Sequence, residues 1–357
     1  MGQKTRVMVV DDSALMRNVL TRLLETDADI EVVHAAKDPI DAQAALEKKH
    51  PDVITLDIEM PKMDGVTFLK KFMSTQPTPT IIISSHAETG KKITIEALEA
   101  GAVDIITKPK VGVARHLESV AEDIIRRVKS AARSNVKAIN IPFNTSSSRT
   151  IDNNSTKQYR TSHQIIGIGA STGGVEQLAR ILPMFPLSSP AILICQHMPE
   201  GFTSTFAKRL NSLSQIRVKE AEDGDRIEPG TAFLAPGGTR HMQVKHVGNM
   251  YHVVLTEGEK VSFNRPSVDV LFESIAKQVG SNSACVLMTG MGRDGAQGLL
   301  KCRENGGKTF IENERSCVVF GMPGEAQRLG AASDALNLEQ IPNRLLAALN
   351  RDKLKTN

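Results

Sequence analysis

The chain has 357 residues, enough for two or three domains of ordinary size. Hydrophobic residues make up 40% of it and charged residues 24%, which is typical of a globular protein, and no apolar run approaches the roughly 18–20 residues that span a bilayer. The net charge of +4 is spread without a polybasic block and only 4% of residues are aromatic, so we expect a cytoplasmic protein with no nucleic-acid partner and no membrane insertion.

Residues 4–129 alternate short β-branched runs with helical patterns. The strand-like runs are RVMVV, IEVVHAA, VITLDI, TIIISS and DIITK, and segments between them, such as SALMRNVLTRLLE, have apolar residues at the spacing i, i+3, i+4. Alternation of this kind predicts a parallel sheet covered by helices on both faces. We therefore predict a doubly wound α/β domain over residues 4–129.

Five polar residues follow or end these predicted strands: Asp11, Asp12, Asp57, Ser84 and Lys108. Because the carboxyl ends of parallel strands meet at one sheet edge, we expect their side chains to converge. Close carboxylates repel one another unless a cation joins them, and an open site with oxygen ligands suits Mg²⁺. One carboxylate would then attack phosphorus, while the serine and lysine hold the phosphoryl oxygens. For any single aspartate, above all Asp12, a helix cap is the alternative.

This pattern resembles the receiver domain of two-component response regulators, and the run DIEMPKMDG is also receiver-like. The resemblance implies a role for each polar residue: phosphorylation at Asp57, Mg²⁺ binding at Asp11, Asp12 and Asp57, and a switch pair formed by Ser84 and Lys108. Many receivers carry an aromatic switch residue where this chain has Ile105, so the resemblance does not extend to that residue.

Residues 130–162 lose the periodicity and fill with Ser, Asn and Thr, which predicts a flexible linker that is helical at its start. The α/β alternation returns over residues 163–350, with QIIGIGAS, AILICQH, TAFLAPGG, SACVLMTG and GKTFIEN as strands and an inserted β-hairpin around Gly248-Asn249. We predict a second doubly wound domain there. The four cysteines lack CxxC spacing, which argues against a disulfide framework or a zinc cluster.

The stretch IIGIGASTGGVEQL has two interpretations. Gly167, Gly169 and Gly173 follow a strand and open a helix, as a phosphate-binding loop does. However, Thr172 stands where the dinucleotide fingerprint has glycine, and the next strand ends in QH instead of the acid that binds a ribose hydroxyl. Dinucleotide binding is therefore the weaker alternative. The same residues also read as G-x-S-x-G, a tight turn that exposes the serine hydroxyl.

A serine hydroxyl is a poor nucleophile until a base removes its proton. His197 ends AILICQH and Asp294 follows SACVLMTGMGR, so both are expected at the sheet edge where Ser171 lies. We predict that Ser171 attacks, that His197 accepts and later returns the proton, and that Asp294 orients the imidazole. The glycine-rich TGMGRDG loop would aim N–H groups around Met291 at an oxyanion, with Thr172 adding an N–H or a hydroxyl.

Each of these residues also has a simpler interpretation. Ser171 and Asp294 would serve as helix N-caps, His197 as a half-buried polar residue and Met291 as a core residue. The histidines of the predicted hairpin are expected at exposed positions: His241, His246 and His252.

Together, the motifs GIGASTGG, CQHMPEGF, LAPGG, FNRPSVDVLF and TGMGRDGAQG closely resemble the chemotaxis protein-glutamate methylesterase family. The resemblance implies hydrolysis of glutamyl methyl esters, and deamidation of glutamines, on the cytoplasmic domains of methyl-accepting chemoreceptors. It implies a triad of Ser171, His197 and Asp294, with an oxyanion N–H from Met291 and no cofactor for the hydrolysis. It also implies that the chemotaxis histidine kinase phosphorylates Asp57, and that the receiver covers the catalytic cleft until then.

Two other functional classes remain open. In the first, a response regulator carries a second domain that binds DNA; this is disfavoured because no helix-turn-helix or basic recognition helix follows the linker. In the second, the protein is a general serine hydrolase of small esters, which the sequence does not separate from a receptor-specific enzyme.

Overall fold

The structure, a computed structural model of the chain, describes residues 4–60, 65–84, 88–108, 114–136 and 163–350. These residues form two α/β units, an N-terminal unit up to residue 136 and a C-terminal unit from residue 163. The predicted linker falls largely on residues 137–162, which lie outside the described residues, as do residues 61–64 of the DIEMPKMDG run.

The N-terminal unit is a five-stranded parallel sheet in the order β2-β1-β3-β4-β5. Its strands and helices, in chain order, are β1 (Thr5–Val10), α1 (Ala14–Leu24), β2 (Ile30–Ala36), α2 (Pro39–Lys49), β3 (Val53–Asp57), α3 (Gly65–Thr75), β4 (Thr80–Ser84), α4 (Glu88–Glu99), β5 (Asp104–Thr107) and α5 (Ala114–Ala131). The residues of β3 and β4 are buried throughout, as expected for strands covered on both faces. Because α5 runs to Ala131, the start of the predicted linker is helical.

The C-terminal unit is a seven-stranded parallel sheet in the order β14-β13-β12-β6-β7-β9-β8, with an antiparallel hairpin of two further strands. Its elements are β6 (Ile165–Ala170), α6 (Gly174–Ile181), β7 (Ala191–Gln196), α7 (Phe202–Leu213), β8 (Arg217–Glu220), β9 (Thr231–Leu234), β10 (Arg240–Val247), β11 (Met250–Glu257), α8 (Val268–Gln278), β12 (Ser283–Leu287), α9 (Ala296–Glu304), β13 (Lys308–Glu312), α10 (Met322–Arg328), β14 (Asp334–Leu336) and α11 (Ile341–Asn350). The predicted fold class, two doubly wound parallel sheets, is confirmed.

Strand β6 lies at the topological switch point of this sheet. The chain passes from β6 to β7 on one side, and it later returns to place β12 on the other side. In doubly wound sheets a crevice opens at such a point beyond the carboxyl ends of the strands. All residues of β6, β7 and β12 are buried, so the strands that end at this crevice belong to the core of the unit.

The two units pack against each other through α4, whose neighbours in the C-terminal unit are α6 and α7. At the end of α4, Glu99 accepts hydrogen bonds from Arg209 of α7 at 2.9 and 3.1 Å. Among the helices that the structure describes, none combines the length and apolar character required to cross a membrane.

Candidate active site

An acidic cluster lies at the carboxyl edge of the N-terminal sheet. Carboxylate oxygens of Asp11, Asp12 and Asp57 all lie within 4.8 Å of one another. Asp57 ends β3, and the two other aspartates follow β1 directly. Ser13 accepts the capping hydrogen bond from Met16 N–H at the start of α1, so the alternative role of Asp12 as this cap is wrong.

Lys108 reaches into this cluster. Its Nζ lies 2.6 Å from Asp57 Oδ2 and 3.5 Å from Asp11 Oδ2. Burial lowers the pKa of Lys108, but its contacts with the two carboxylates outweigh burial and hold that pKa above the ordinary value. Burial also raises the pKa of Asp11, whose Oδ2 accepts no hydrogen bond from the described residues. This buried oxygen has an ion pair with Lys108 at 3.5 Å but no such hydrogen bond, so it can still serve as a ligand of a bound cation.

Ser84 ends the neighbouring strand β4 and is fully buried. Its Oγ lies 2.8 Å from Thr94 Oγ1 on α4, and Thr94 donates in turn to Gly90 O at 2.7 Å. The serine hydroxyl therefore donates to Thr94. This hydrogen bond joins the acidic edge to the helix that packs on the C-terminal unit.

The turn after β6 places Ser171 beside His197. Strands β6 and β7 pair in parallel with Ala170 opposite Gln196, so the next residue of each strand leaves the sheet at the same level. Gln196 Nε2 donates to Ser171 O at 2.9 Å, and His197 N–H donates to Ala170 O at 3.1 Å. Gly173 adopts a φ of +81° where α6 begins, a conformation that favours glycine.

His197 and Asp294 form a buried hydrogen-bonded pair. The distance from His197 Nε2 to Asp294 Oδ2 is 2.8 Å, and the two side chains are 7% and 0% exposed. Burial raises the pKa of Asp294, but hydrogen bonds from His197, Ser267 and Val268 outweigh it and hold that pKa below the ordinary value. The carboxylate is thus ionised and accepts the imidazole proton.

The first turn of α8 supplies the other partners of Asp294. Ser267 Oγ donates to Oδ1 at 2.7 Å, while the N–H groups of Val268 and Asp269 donate at 2.8 and 3.1 Å. Burial raises the pKa of Asp269 to about 6, and the charge of Asp294 adds to this effect. The alternative role of Asp294 as N-cap of α9 is wrong, because the cap residue is Gly295.

The loop after β12 passes directly beside the serine. A Cβ atom on Gly290 would lie 2.8 Å from Ser171 Cβ and 2.2 Å from Met322 Sδ, so only glycine fits there. Thr289 O accepts the Ser171 N–H at 2.9 Å, which ties this loop to the turn. Met291, the next residue, is half-buried instead of lying in the core.

The N-terminal unit covers this crevice. Ser171 and His197 border one narrow cavity together with Leu98, Asp104 and Ile105 of the other unit. Gly173 N–H donates to Val103 O at 2.8 Å, and Thr172 Oγ1 donates to Asp104 Oδ2 at 3.3 Å.

Arg126 of α5 makes a second contact between the two units. Its guanidinium lies 3.7 Å from Met291 Sδ and 5.6 Å from the centre of the Phe263 ring.

Comparisons with known proteins decide the family. A family model described as CheB methylesterase matches residues 166–345, and one described as response regulator receiver domain matches residues 7–117. The protein-glutamate methylesterase/protein-glutamine glutaminase of Escherichia coli strain K12 is 45% identical over 350 residues, which is 97% of each chain. A similarly named protein of Dechloromonas aromatica is 48% identical over 97% of this chain and 98% of its own length.

This chain belongs to the protein-glutamate methylesterase/protein-glutamine glutaminase family. The crystal structure of the Thermotoga maritima CheB methylesterase catalytic domain agrees: it is 38% identical, covers 52% of this chain and 98% of its own, and superposes with a TM-score of 0.51. The predicted family and enzyme class are confirmed. The N-terminal unit is the receiver domain and the C-terminal unit is the methylesterase domain of this family member.

One histidine prediction is wrong. His241 is only 3% exposed, whereas an exposed position was expected. Its Nδ1 accepts the Ser267 N–H at 3.1 Å, and its Nε2 donates to Glu259 O at 2.9 Å. The loop between β11 and α8 covers this side chain, so His241 supports the segment that holds Asp294. His246 is exposed as expected, and His252 is half-buried.

Sequence reasoning missed three polar residues of the methylesterase domain: Gln196, Ser267 and Glu312. Gln196 precedes His197 in the CQH motif, and Ser267 lies in the FNRPSVDVLF motif, so both motifs contained the signal. Glu312 ends the largely buried strand β13 and is itself fully buried. A charged residue at the carboxyl end of a central strand is the signal that would have identified it.

Proposed function

We propose that this methylesterase family member removes methyl groups from glutamate methyl esters of methyl-accepting chemoreceptors, and deamidates receptor glutamines, during chemotaxis adaptation. The catalytic residues in this proposal are Ser171, His197 and Asp294. The observation that carries the proposal is the buried hydrogen bond between His197 and Asp294, at the edge of the cavity that Ser171 also borders.

The geometry suggests a separate role for each of the three residues in the reaction. Asp294 engages Nε2 of His197, which leaves Nδ1 as the ring nitrogen that takes the Ser171 proton. The serine oxygen then bonds to the ester carbonyl carbon, and the imidazolium returns its proton to the departing methoxide as methanol leaves. Water attacks the resulting acyl-serine by the same route, and this releases the glutamate carboxylate and restores the hydroxyl. The ionised Asp294 stabilises the imidazolium throughout.

Backbone N–H groups are proposed to stabilise the tetrahedral oxyanion. The candidates are the N–H groups of Thr172, which follows the nucleophile, and Met291 in the loop beside it. Glutamine deamidation attacks the same side-chain acyl carbon and differs in its leaving group. In that reaction, His197 protonates departing ammonia in place of methoxide.

The receiver domain is proposed to control access to this site. The chemotaxis histidine kinase would phosphorylate Asp57, while Asp11, Asp12 and Asp57 hold Mg²⁺, which neutralises phosphoryl charge when bound. Ser84 and Lys108 would contact the phosphoryl oxygens. To do so, the Ser84 hydroxyl must leave Thr94 of α4, the helix that packs on the methylesterase domain. Loosening of α4 would then uncover the cavity at Ser171.

Methanol release from methyl-labelled receptor membranes tests the proposal. Ser171→Ala removes the attacking oxygen, and we expect the release to fall by about 10³-fold or more. Ser333→Ala is the matched control, because this serine is exposed and its hydroxyl donates to Thr309 O at the far side of the domain. Methanol release that survives Ser171→Ala would exclude this serine as the nucleophile. Hydrolysis of small esters without release from receptors would favour a general serine hydrolase.

A further inference from the structure

Glu312 lies behind the catalytic crevice with its carboxyl group fully buried. Its Oε2 accepts the Thr289 N–H at 2.8 Å, and its Oε1 accepts from Gln177 Nε2 at 2.7 Å. The described groups around this carboxyl are polar but uncharged, so no cation compensates for its burial. This carboxyl group takes no part in the proton transfers of the proposed hydrolysis.

Thr289 connects Glu312 to the reacting groups. Its carbonyl oxygen accepts the Ser171 N–H at 2.9 Å, and its hydroxyl donates to Thr172 O at 3.0 Å. The same hydroxyl accepts the Val319 N–H at 2.9 Å. One residue therefore holds the nucleophile turn on one side and begins the Gly290-Met291 loop on the other.

Gln177 contacts the Glu312 carboxyl on the side opposite Thr289. It lies on α6, the helix that follows the nucleophile, and it donates both to Glu312 and to Ser316 O, the latter at 3.1 Å. The carboxyl of Glu312 thus joins α6 to the loop after β12. Both ends of the nucleophile turn are fixed to one buried group.

We propose that Glu312 is a positioning residue for the hydrolysis, which fixes the backbone of Thr289 and thereby aligns Ser171 with the oxyanion loop. The proposal rests on the proposed function of Ser171. It assigns Glu312 no contact with substrate. A misplacement of about 1 Å in a catalytic group can lower a rate by about 100-fold, so a group that fixes this backbone has a kinetic effect.

The test exchanges hydrogen-bond donors and acceptors at Glu312 and Gln177. Two N–H donors point at the Glu312 carboxyl, and Glu312→Gln replaces one acceptor oxygen by an NH₂ group that opposes one of them. The double substitution Glu312→Gln with Gln177→Glu restores the pairing. The new amide accepts from Thr289 N–H and donates to the new carboxyl at position 177, which in its protonated form still donates to Ser316 O.

The full-length protein is assayed for methanol release, and amide hydrogen exchange is measured on the same samples. We expect Glu312→Gln to lower kcat by about 10- to 100-fold with KM within about twofold, and to speed exchange at the Ser171 and Thr289 amides. The double variant is expected to recover most of both losses. Thr309→Val on the same strand is the control, since its buried Oγ1 has no hydrogen-bond partner among the described residues.

Unchanged kcat and exchange in Glu312→Gln would overturn the proposal, as would a double variant no better than the single one. A failure of the proposed function would give a different set of results. In that case Ser171→Ala retains methanol release, while the exchange and rescue measurements still report whether Glu312 holds the turn.

Discussion

Asp294 illustrates how a buried carboxylate stays ionised in this protein. A buried charge is costly unless hydrogen bonds replace its water, and Asp294 accepts four: from His197, from Ser267 Oγ and from two N–H groups of α8. Those N–H groups belong to a helix N-terminus, where the partial positive charge favours an anion. The helix therefore stabilises the group that orients the proposed base.

The sequence predicted the catalytic candidates because they follow strands, and parallel strands bring their carboxyl ends to one edge. It did not predict their supporting residues. Ser267 contacts Asp294 across 27 positions of sequence, and Glu312 contacts Gln177 across 135. Periodicity reports which side of one element is apolar and carries no information about such long-range polar pairs. His241 was placed wrongly for the same reason, because a distant loop buries it.

Glu312 also makes the stability of the protein depend on pH. Burial raises the pKa of its carboxyl from 4.5 to about 7. Between these two pH values the folded protein keeps a proton that the unfolded chain has lost. The contribution of Glu312 to the free energy of unfolding is therefore fully present below the unfolded pKa, and it is lost as pH rises through about 7. The neighbouring titratable thiol of Cys317 stays neutral, since burial raises its pKa as well.

We therefore expect wild type to lose stability relative to Glu312→Gln between about pH 5 and about pH 8, by on the order of 3 kcal/mol of unfolding free energy. Thermal melts of both proteins across this range measure the difference. A constant difference in Tm across the range would show that Glu312 does not titrate there.

At the scale of elements, the sequence predicted all five strands of the receiver and the five inner strands of the seven-stranded sheet, but it missed the two edge strands of the latter. β8 (Arg217–Glu220) and β14 (Asp334–Leu336) lie at the two edges of the seven-stranded sheet, are three or four residues long and are partly exposed. A short edge strand needs few apolar residues, so its sequence resembles a loop. The central strands are buried on both faces and have continuous apolar runs.

Helix α4 is the element that links the two proposed activities of the protein. It receives the Ser84 hydrogen bond through Thr94 and packs on α6 and α7. The ion pair between Glu99 and Arg209 closes the end of this contact. Weakening the pair should favour separation of α4 from the methylesterase domain.

Arg209→Gln tests this role. The Arg209 side chain is 36% exposed, so solvent screening limits the pair to about 0.5–1 kcal/mol, which corresponds to a two- to fivefold shift. We expect unphosphorylated methanol release to rise by about two- to fivefold, with little change in the phosphorylated rate. Lys301→Gln is the matched control, because it breaks an exposed pair with Glu273 away from α4. Equal basal rates for Arg209→Gln and wild type would contradict the role of this contact.

At the scale of the whole molecule, the structure brings the receiver domain over the proposed catalytic residues. Val103 and Asp104 of the receiver hydrogen-bond Gly173 and Thr172, the two residues that follow Ser171 in the nucleophile turn. Local sequence patterns do not predict this contact between the domains, because its residues lie about 70 positions apart in the chain. Only the family resemblance implied that the receiver covers the cleft.

Phosphorylation should uncover the site. We expect acetyl phosphate with Mg²⁺ to raise methanol release, and we expect Asp57→Asn to keep the basal rate while abolishing the increase, because it removes the acceptor oxygen. Removing Mg²⁺ with a chelator should also abolish the increase. Asp29→Asn is the control, since this carboxylate is 77% exposed and lies outside the acidic cluster. A normal response of Asp57→Asn would mean that another residue is the acceptor.

The central claim is that Ser171, His197 and Asp294 act as one catalytic unit. The most direct measurement is kcat for methanol release in Ser171→Ala, Asp294→Asn and the double variant, all in the phosphorylated state. If the residues act together, the double variant loses no more activity than the more damaging single one. Losses that multiply, or a Ser171→Ala protein with wild-type kcat, would contradict the claim.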